Sequence, residues 1–523
     1  MRHWFANILP AFTAAVLLCS RPGWATPTLG DIDALIESYQ MEEAEEAISQ
    51  LPGDNLQSAE GQYTLGKYYF FIGKYQKAET LIRAAIQESK TELDWKYMRD
   101  QVDISSRQTE ALTRTKPAHG ITFYHPHGAE RLLITYALKA LRAQRDALKS
   151  ELGDFVPDLR VYILPSVEVL SEMCGLSVEQ IESTGTVAIT KYNRIMILSP
   201  KLIVGGYPWM DTLAHELTHI YITRLTANRA PIWLHEGIAK LLESLWRKGP
   251  QGQLTPVSAY LLDQAAREKR LIPLRRFHPS VSYLPNQEDA ALAYAQGLSF
   301  LAYISQKFKD GHSLKTFLPL VASSGVETAL RETTTYEIKK LYRWWQEELV
   351  GARATPAALV PMMKRRFKTR TDERNANIDP ILGKEVRRHI RVGDLLRLRG
   401  HVDAAIREYK WALEKTDALT PDIVDRLAGA LLMQKNAGEA LELLQPMKSL
   451  YPHHATVFIQ AGEAHTELRN FKAAETELNT AISLEPFHAE VHCMLSAIFG
   501  ERGDTAAAER EKKVCLELSS SSE

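Results

Sequence analysis

His215-Glu216-Leu217-Thr218-His219 and Trp233-Leu234-His235-Glu236-Gly237-Ile238-Ala239 decide how this chain is read. Two histidines four apart on a helix project from nearly the same face, about 6 Å from each other, so their imidazoles can converge on one ion. The glutamate between them points elsewhere, which leaves Glu216 free to take a proton from a metal-bound water while His215 and His219 hold the metal. Met210 to Thr223 is predicted to be helical, with Leu213, Leu217, Ile220 and Tyr221 giving it an apolar side. After a short polar break, Pro231 opens a second helix in the first-turn position, where its missing N–H costs nothing. Sixteen residues separate His219 from Glu236, enough for a helix end, a turn and a first turn, so an antiparallel helix pair could bring Glu236 to the same ion. Three protein ligands leave the fourth position for water, as a catalytic rather than a structural zinc site needs. The five-residue pattern by itself also arises by chance on ordinary surface helices; the second helix is what raises it above that reading.

These two motifs resemble those of the gluzincins, and within them the catalytic domain of aminopeptidase N-like enzymes and the broader peptidase MA-like domains. The resemblance implies an α+β gluzincin-type metallopeptidase domain, zinc as cofactor, His215, His219 and Glu236 as metal ligands, and Glu216 as general base. Glu243, seven residues after Glu236, stands where that family carries a carboxylate behind a zinc-ligating histidine, a partner that fixes the imidazole tautomer and raises its basicity. Tyr294-Ala295-Gln296-Gly297-Leu298-Ser299-Phe300-Leu301 looks like the family's Tyr-x-x-Gly helix start, whose tyrosine donates a hydrogen bond to the oxyanion. One departure bears on specificity. The aminopeptidases carry a glycine-containing strand upstream of the zinc helix, ending in a glutamate that grips the substrate's free amino terminus. The nearest stretch here is Thr184-Gly185-Thr186-Val187-Ala188-Ile189-Thr190, with no acidic residue following the glycine until well past the strand. An endopeptidase is therefore expected, its edge strand holding extended peptide through main-chain hydrogen bonds that accept any sequence.

The rest of the chain sets the context. Lysine and arginine total 63 against 64 acidic residues, so no global field draws in nucleic acid or an anionic membrane. Residues 1–25 read as a secretory signal, with Arg2 and His3 before an apolar run from Trp4 to Leu18 and a small-residue exit at Gly23-Trp24-Ala25. That run is too short for a stable membrane anchor, and the expected location is periplasmic or secreted. Without Cys19, three cysteines remain, so disulfides do not hold the fold, although Cys493 and Cys515 fall on paired helices of one repeat. His125-Pro126-His127 would put two rings on one strand face, but the proline and Gly128 make it a strand end rather than a second metal site. His235, beside Glu236, is expected to face the cleft rather than the ion.

Self-similarity defines the flanks. Leu65, Gly66, Tyr69, Gly73, Tyr75, Ala78, Ile82 and Ala85 occupy the offsets of a tetratricopeptide repeat, and Ala44 lies 34 residues before Ala78. Ala405, Ala440, Ala474 and Ala508 follow at spacings of 35, 34 and 34, with Gly393, Ala428, Gly462 and Ser496 twelve residues before each. The predicted order is a signal peptide over 1–25, an N-terminal tetratricopeptide-like helical region over 28–115, the catalytic domain over 118–353, a linker over 354–385, an all-α repeat array over 386–518 and a tail over 519–523. In the catalytic domain the strands are expected at 121–124, 159–164, 187–189 and 194–198, and a long helix from Glu130 to Leu152. The array is a spacer or a concave surface recruiting a peptide or protein substrate or a protein partner; either way it should fold on its own contacts and be separable from the catalytic core. The competing reading is an envelope scaffold or assembly factor with a lapsed peptidase domain. A glutamate kept between the histidines speaks against it, since a structural zinc site needs no base there.

Overall fold

The computed structural model describes residues 26–89, 93–118, 120–153, 158–248, 252–351, 362, 364–368, 382–416 and 419–520. The expected signal segment and most of the expected linker lie outside the described residues. The chain divides into two compact units, residues 1–99 and 100–523. The first is helical. Its helix Leu29–Glu37 opens with Thr28 and Asp31 in a reciprocal cap. Helices Ala59–Phe71 and Tyr75–Glu88 pack closely because Gly66 carries no side chain: a Cβ there would stand 2.6 Å from Ile82 Cγ1. Lys67, buried between them and Leu29–Glu37, is paired with Asp33 and Glu37 at 2.7 and 2.5 Å.

The second unit is built on a five-stranded sheet in the order β1-β2-β3-β5-β4. Strands β2 (Ile121–His125), β3 (Leu159–Leu164) and β5 (Arg194–Leu198) run parallel and are buried along their whole length, as their β-branched and aromatic runs demand. Strand β4 (Ala188–Lys191) closes the sheet antiparallel to β5 as a half-buried edge. The β4–β5 hairpin turns on Tyr192 and Asn193, both at positive φ (55° and 54°), the backbone that a two-residue hairpin with right-handed strand twist requires. The opposite edge, β1 (Thr113–Ala118), was not legible beforehand: it contains Pro117, and its register slips between Thr115 and Ala118. Proline is tolerated there because nothing pairs beyond it. The expected strand around Gly185 also begins later than read. Gly185 instead caps helix Val178–Thr184 in the left-handed conformation, φ 68°.

Two helices carry the paired motifs. Trp209–Leu225 has Leu213, Ala214, Leu217 and Ile220 fully buried, and Ile232–Leu242 follows with Pro231 as its cap residue. A third, Gln287–Ser305, carries Tyr294 inside the helix rather than at its start. It crosses Ile232–Leu242 where two glycines meet. A Cβ on Gly237 would lie 2.6 Å from the Gly297 carbonyl oxygen, and one on Gly297 would lie 3.3 Å from the Gly237 nitrogen.

The C-terminal array comprises four helix pairs, from Lys384–Leu398 and Val402–Glu414 to Ala489–Glu501 and Thr505–Ser520. Ala405, Ala440 and Ala474 are fully buried, and Cβ atoms on Gly393 and Gly462 would meet Tyr409 and Leu478 at 2.5 and 2.6 Å. Cys493 and Cys515 are bonded, joining the last helix pair. The last helix runs to Ser520, so the expected tail is in part helical.

Separability fails. The array packs on the catalytic half: Tyr207 N donates to Leu484 O at 3.1 Å, Ala455 N to Gly205 O at 3.4 Å, and the Trp209 indole reaches Ile482 O at 3.5 Å. Gly206, at φ 71°, admits Leu484 O to 2.4 Å of where a Cβ would be. Part of the expected linker is likewise fixed, since Val204 N donates to Arg366 O and Lys368 N to Leu202 O, at 2.9 and 2.8 Å. The spacing of repeat residues carries no information about which outside surface the array covers.

Two outcomes follow from this packing. Gly237→Ala forces the crossing helices apart and should destabilise the protein by about 1–3 kcal/mol, whereas Gly438→Ala, whose Cβ meets nothing within 4 Å, should be neutral or stabilising by up to about 1 kcal/mol. Chemical denaturation of both variants checks the sign, and equal effects would remove the glycine contact from the account. Deleting 386–523 uncovers Trp209, 1 % exposed in the whole chain; the fragment should melt several degrees lower with red-shifted tryptophan emission. A fragment matching the full chain in both would restore a separable array.

Candidate metal centre

The structure brings His215, His219 and Glu236 to one point. The two imidazoles are 4.7 Å apart between ring centres and nearly perpendicular. Glu236 Oε2 lies 3.3 Å from His215 Nε2 and 3.6 Å from His219 Nε2. Ligand atoms about 2.0–2.2 Å from a tetrahedral zinc are roughly 3.3 Å from one another, so the three donors fit that ion. Glu216 also offers an atom within 4.8 Å of the two histidines, but the shorter approach of Glu236 to both Nε2 atoms favours Glu236 as the third ligand. Glu216 Oε2 is buried and has no hydrogen-bond partner among the described residues. A carboxylate oxygen in that state is costly unless something absent from the protein chain faces it, which suits a base awaiting a water.

Charge supports a cation here. Burial alone would raise the Glu236 pKa, but His219 and His215 outweigh it and hold the carboxyl well below the usual range. Burial likewise opposes ionisation of Glu243, yet Lys240 at 2.6 Å and His215 hold it down at about 2. For His215, burial is more than offset by Glu236 and Glu243, which raise it to about 9.

Behind the three donors, Glu243 Oε2 faces His215 Nδ1 at 3.1 Å, the place expected for a carboxylate that orients that ring. His219 has a different neighbour. His235 Nδ1 stands 3.4 Å from His219 Nδ1, with the rings 5.5 Å apart. Burial pushes the His235 pKa down to about 3, which keeps the ring neutral and able to accept a hydrogen bond from the His219 Nδ1–H. His235 thus backs His219 instead of facing the cleft. Spacing within one helix could not reveal this, because positions 235 and 236 straddle His219 only once the crossing of the two helices is known.

Tyr294 lies 6.1 Å from His215 between ring centres. Burial first, then Glu236 and Glu216, raise its pKa well above the ordinary value, so the phenol keeps its proton. A protonated phenol in this position is a hydrogen-bond donor. A cavity of about 620 Å³ opens on this group, lined by His215, Glu216, Tyr294, Gly185 to Ala188 beside β4, Arg365, and His453 and His454 of the array. Burial lowers both of these histidines to about 4, so they are neutral at physiological pH. None of the last three residues was legible as part of the site: Arg365 sits in a basic stretch read as linker, and the histidines in a repeat turn. The other histidine pair is accounted for by β1, with His125 Nε2 3.1 Å from Thr115 Oγ1 and His127 Nδ1 2.8 Å from Thr113 Oγ1.

Residues 156–351 match the Peptidase MA superfamily model, and residues 431–498 match the tetratricopeptide repeat model. No curated protein matches the chain. Among solved structures, a thermophilic tetratricopeptide protein of Thermus thermophilus is similar at 22% identity, covering 25% of this chain and 74% of that one, with a TM-score of 0.24. A MamA protein is similar at 23% identity over 26% of this chain and 74% of its own, also with a TM-score of 0.24. No described helix is long and apolar enough to cross a membrane. A Peptidase MA superfamily domain whose two motif helices frame the His215, His219 and Glu236 cluster, followed by tetratricopeptide repeats, is what this chain contains.

Proposed function

We propose that the protein is a zinc-dependent endopeptidase of gluzincin type acting in a periplasmic or secreted setting. The observation that carries the reading is the pairing of three convergent donor atoms with an orphaned carboxylate oxygen on Glu216. His215, His219 and Glu236 would hold zinc, which when bound supplies the Lewis acidity that activates a water and polarises a carbonyl. Glu216 accepts the proton of the attacking water at Oε2 and returns it to the leaving amine nitrogen. Tyr294 donates its phenolic proton in a hydrogen bond to the oxygen of the tetrahedral species. Glu243 and His235 hold the two imidazoles in the tautomer that presents Nε2. The half-buried edge of β4 offers main-chain hydrogen bonds to an extended peptide, and the Thr190 hydroxyl ties that strand to the Glu216 carbonyl at 2.9 Å, fixing strand and base together. The Cys493–Cys515 bond supports an oxidising compartment, and the repeats support recruitment of a protein substrate or partner at the mouth of the cleft.

His219→Ala should yield folded protein with much less than one zinc per chain, while Glu216→Gln should keep its zinc and lose about 100-fold or more in peptide turnover. Metal analysis beside a peptide-library assay checks both. Stoichiometric zinc in the first variant rejects the ligand set, and native turnover in the second removes Glu216 from the chemistry.

Endopeptidase action also makes a blocked amino terminus irrelevant. Acetylated and free peptides of one sequence should be cut at similar rates, because no carboxylate follows Gly185 to pair with a free amine. Stepwise trimming of the free peptide alone would mean an aminopeptidase.

A further inference from the structure

We propose that Arg365 reads a carboxylate on the substrate, making this a cleft that selects peptides with an acidic group near the scissile bond. The inference rests on the peptidase reading above and concerns a residue that lies outside the stretch matching the Peptidase MA superfamily.

Arg365 lines the same cavity as Glu216 and Tyr294. Its backbone is pinned independently of its side chain. Arg365 N donates to Gln287 Oε1 at 2.7 Å, and Gln287 Nε2 donates to Arg365 O at 2.9 Å. On the far side, Phe367 bridges Ile203 in antiparallel register. Among the described residues the guanidinium is aimed by a single hydrogen bond, Nη1 to the Gly185 carbonyl at 2.8 Å, at the start of the loop that leads into β4. Five N–H donors make up a guanidinium, so most of them remain for a ligand.

The charge balance of the cavity wall makes the case. Lys240 is paired with Glu243 at 2.6 Å and Arg247 with Asp211 at 2.8 Å. Arg365 has no carboxylate partner among the described residues. Lys364 beside it is exposed and adds to the same positive potential without a fixed geometry. Arg365 is open to the solvent filling the cavity while protein surrounds that solvent, so burial lowers its pKa, yet a guanidinium stays charged in any protein. A fixed, forked cation facing the cavity, with Glu243 acting on it only from beyond ion-pair distance, matches a carboxylate, which it can hold through two parallel hydrogen bonds. That carboxylate belongs either to an acidic side chain or to a free C-terminus, and one guanidinium serves both.

The test uses the zinc-loaded full chain and four peptides of one core sequence: blocked with glutamate, glutamine or lysine at a scanned position, and the glutamine peptide with a free C-terminus. Native protein should favour the glutamate or the free-terminus peptide over the blocked glutamine peptide by about tenfold or more in kcat/KM, and which of the two is favoured identifies the source of the carboxylate. Arg365→Gln should erase the preference, and Arg365→Glu should turn it toward lysine. A structural role would not produce that inversion. Binding of the same peptides to Glu216→Gln protein, with and without Arg365→Glu, reads recognition without turnover. Charge-dependent binding in the absence of any cleavage would sink the peptidase reading and leave the carboxylate site standing. Cleavage or binding blind to charge, no binding at all, or an unchanged preference in a folded Arg365→Glu protein would overturn the proposal. The native comparison alone decides the matter if the variants do not fold.

Discussion

The site depends on two backbones touching. Gly237 and Gly297 stand at the crossing of Ile232–Leu242 and Gln287–Ser305, where a methyl group on either would press on the other helix's main chain. Glu236 precedes one of these glycines and Tyr294 lies three residues before the other, so the crossing sets how far both stand from the histidines on Trp209–Leu225. Separation of those helices by the width of a methyl would shift Glu236 against two Nε2 atoms now 3.3 and 3.6 Å away. Close-packed interfaces give way by such amounts only at a cost of about 1–3 kcal/mol, a sizeable share of a domain's stability.

How far the sequence could be read follows from the range over which each signal acts. His215, His219 and Glu216 are fixed by helical periodicity, a local property, and their arrangement follows from it. Glu236 required only one short turn. The central strands were legible from their apolar runs and the repeats from their period. What escaped was whatever depends on surfaces meeting at long range. Thr113–Ala118 looks too polar and proline-bearing to be a strand until its position at a sheet edge is known. His235 becomes a partner of His219 only through the helix crossing. Arg365, His453 and His454 come from segments whose local sequence speaks of a linker and a repeat turn, and only the docking of the array makes them cavity wall.

That docking joins two kinds of architecture that are ordinarily independent. Stacked repeats usually contact only their neighbours along the stack, yet here Leu484 and Ile482 carbonyls accept hydrogen bonds from Tyr207 and Trp209 at the start of the motif helix. The helix that presents the histidines is therefore anchored at its N-terminal end by the repeats and along its length by the sheet. A displacement of the array has a direct mechanical route to His215 and His219 on that helix.

The edge strand β4 has one more consequence. It offers only Ala188–Lys191 before the chain turns back at Tyr192 and Asn193, a span of about 13 Å at the usual rise of a strand. A polypeptide lying along it must be fully extended for roughly that distance, and a folded domain does not present such a segment without local unfolding. Under the proposed function the strand would work as a conformational sieve: flexible tails, loops and unfolded chains could reach it, while compact proteins would be spared by their own cooperativity rather than by any feature of their sequence.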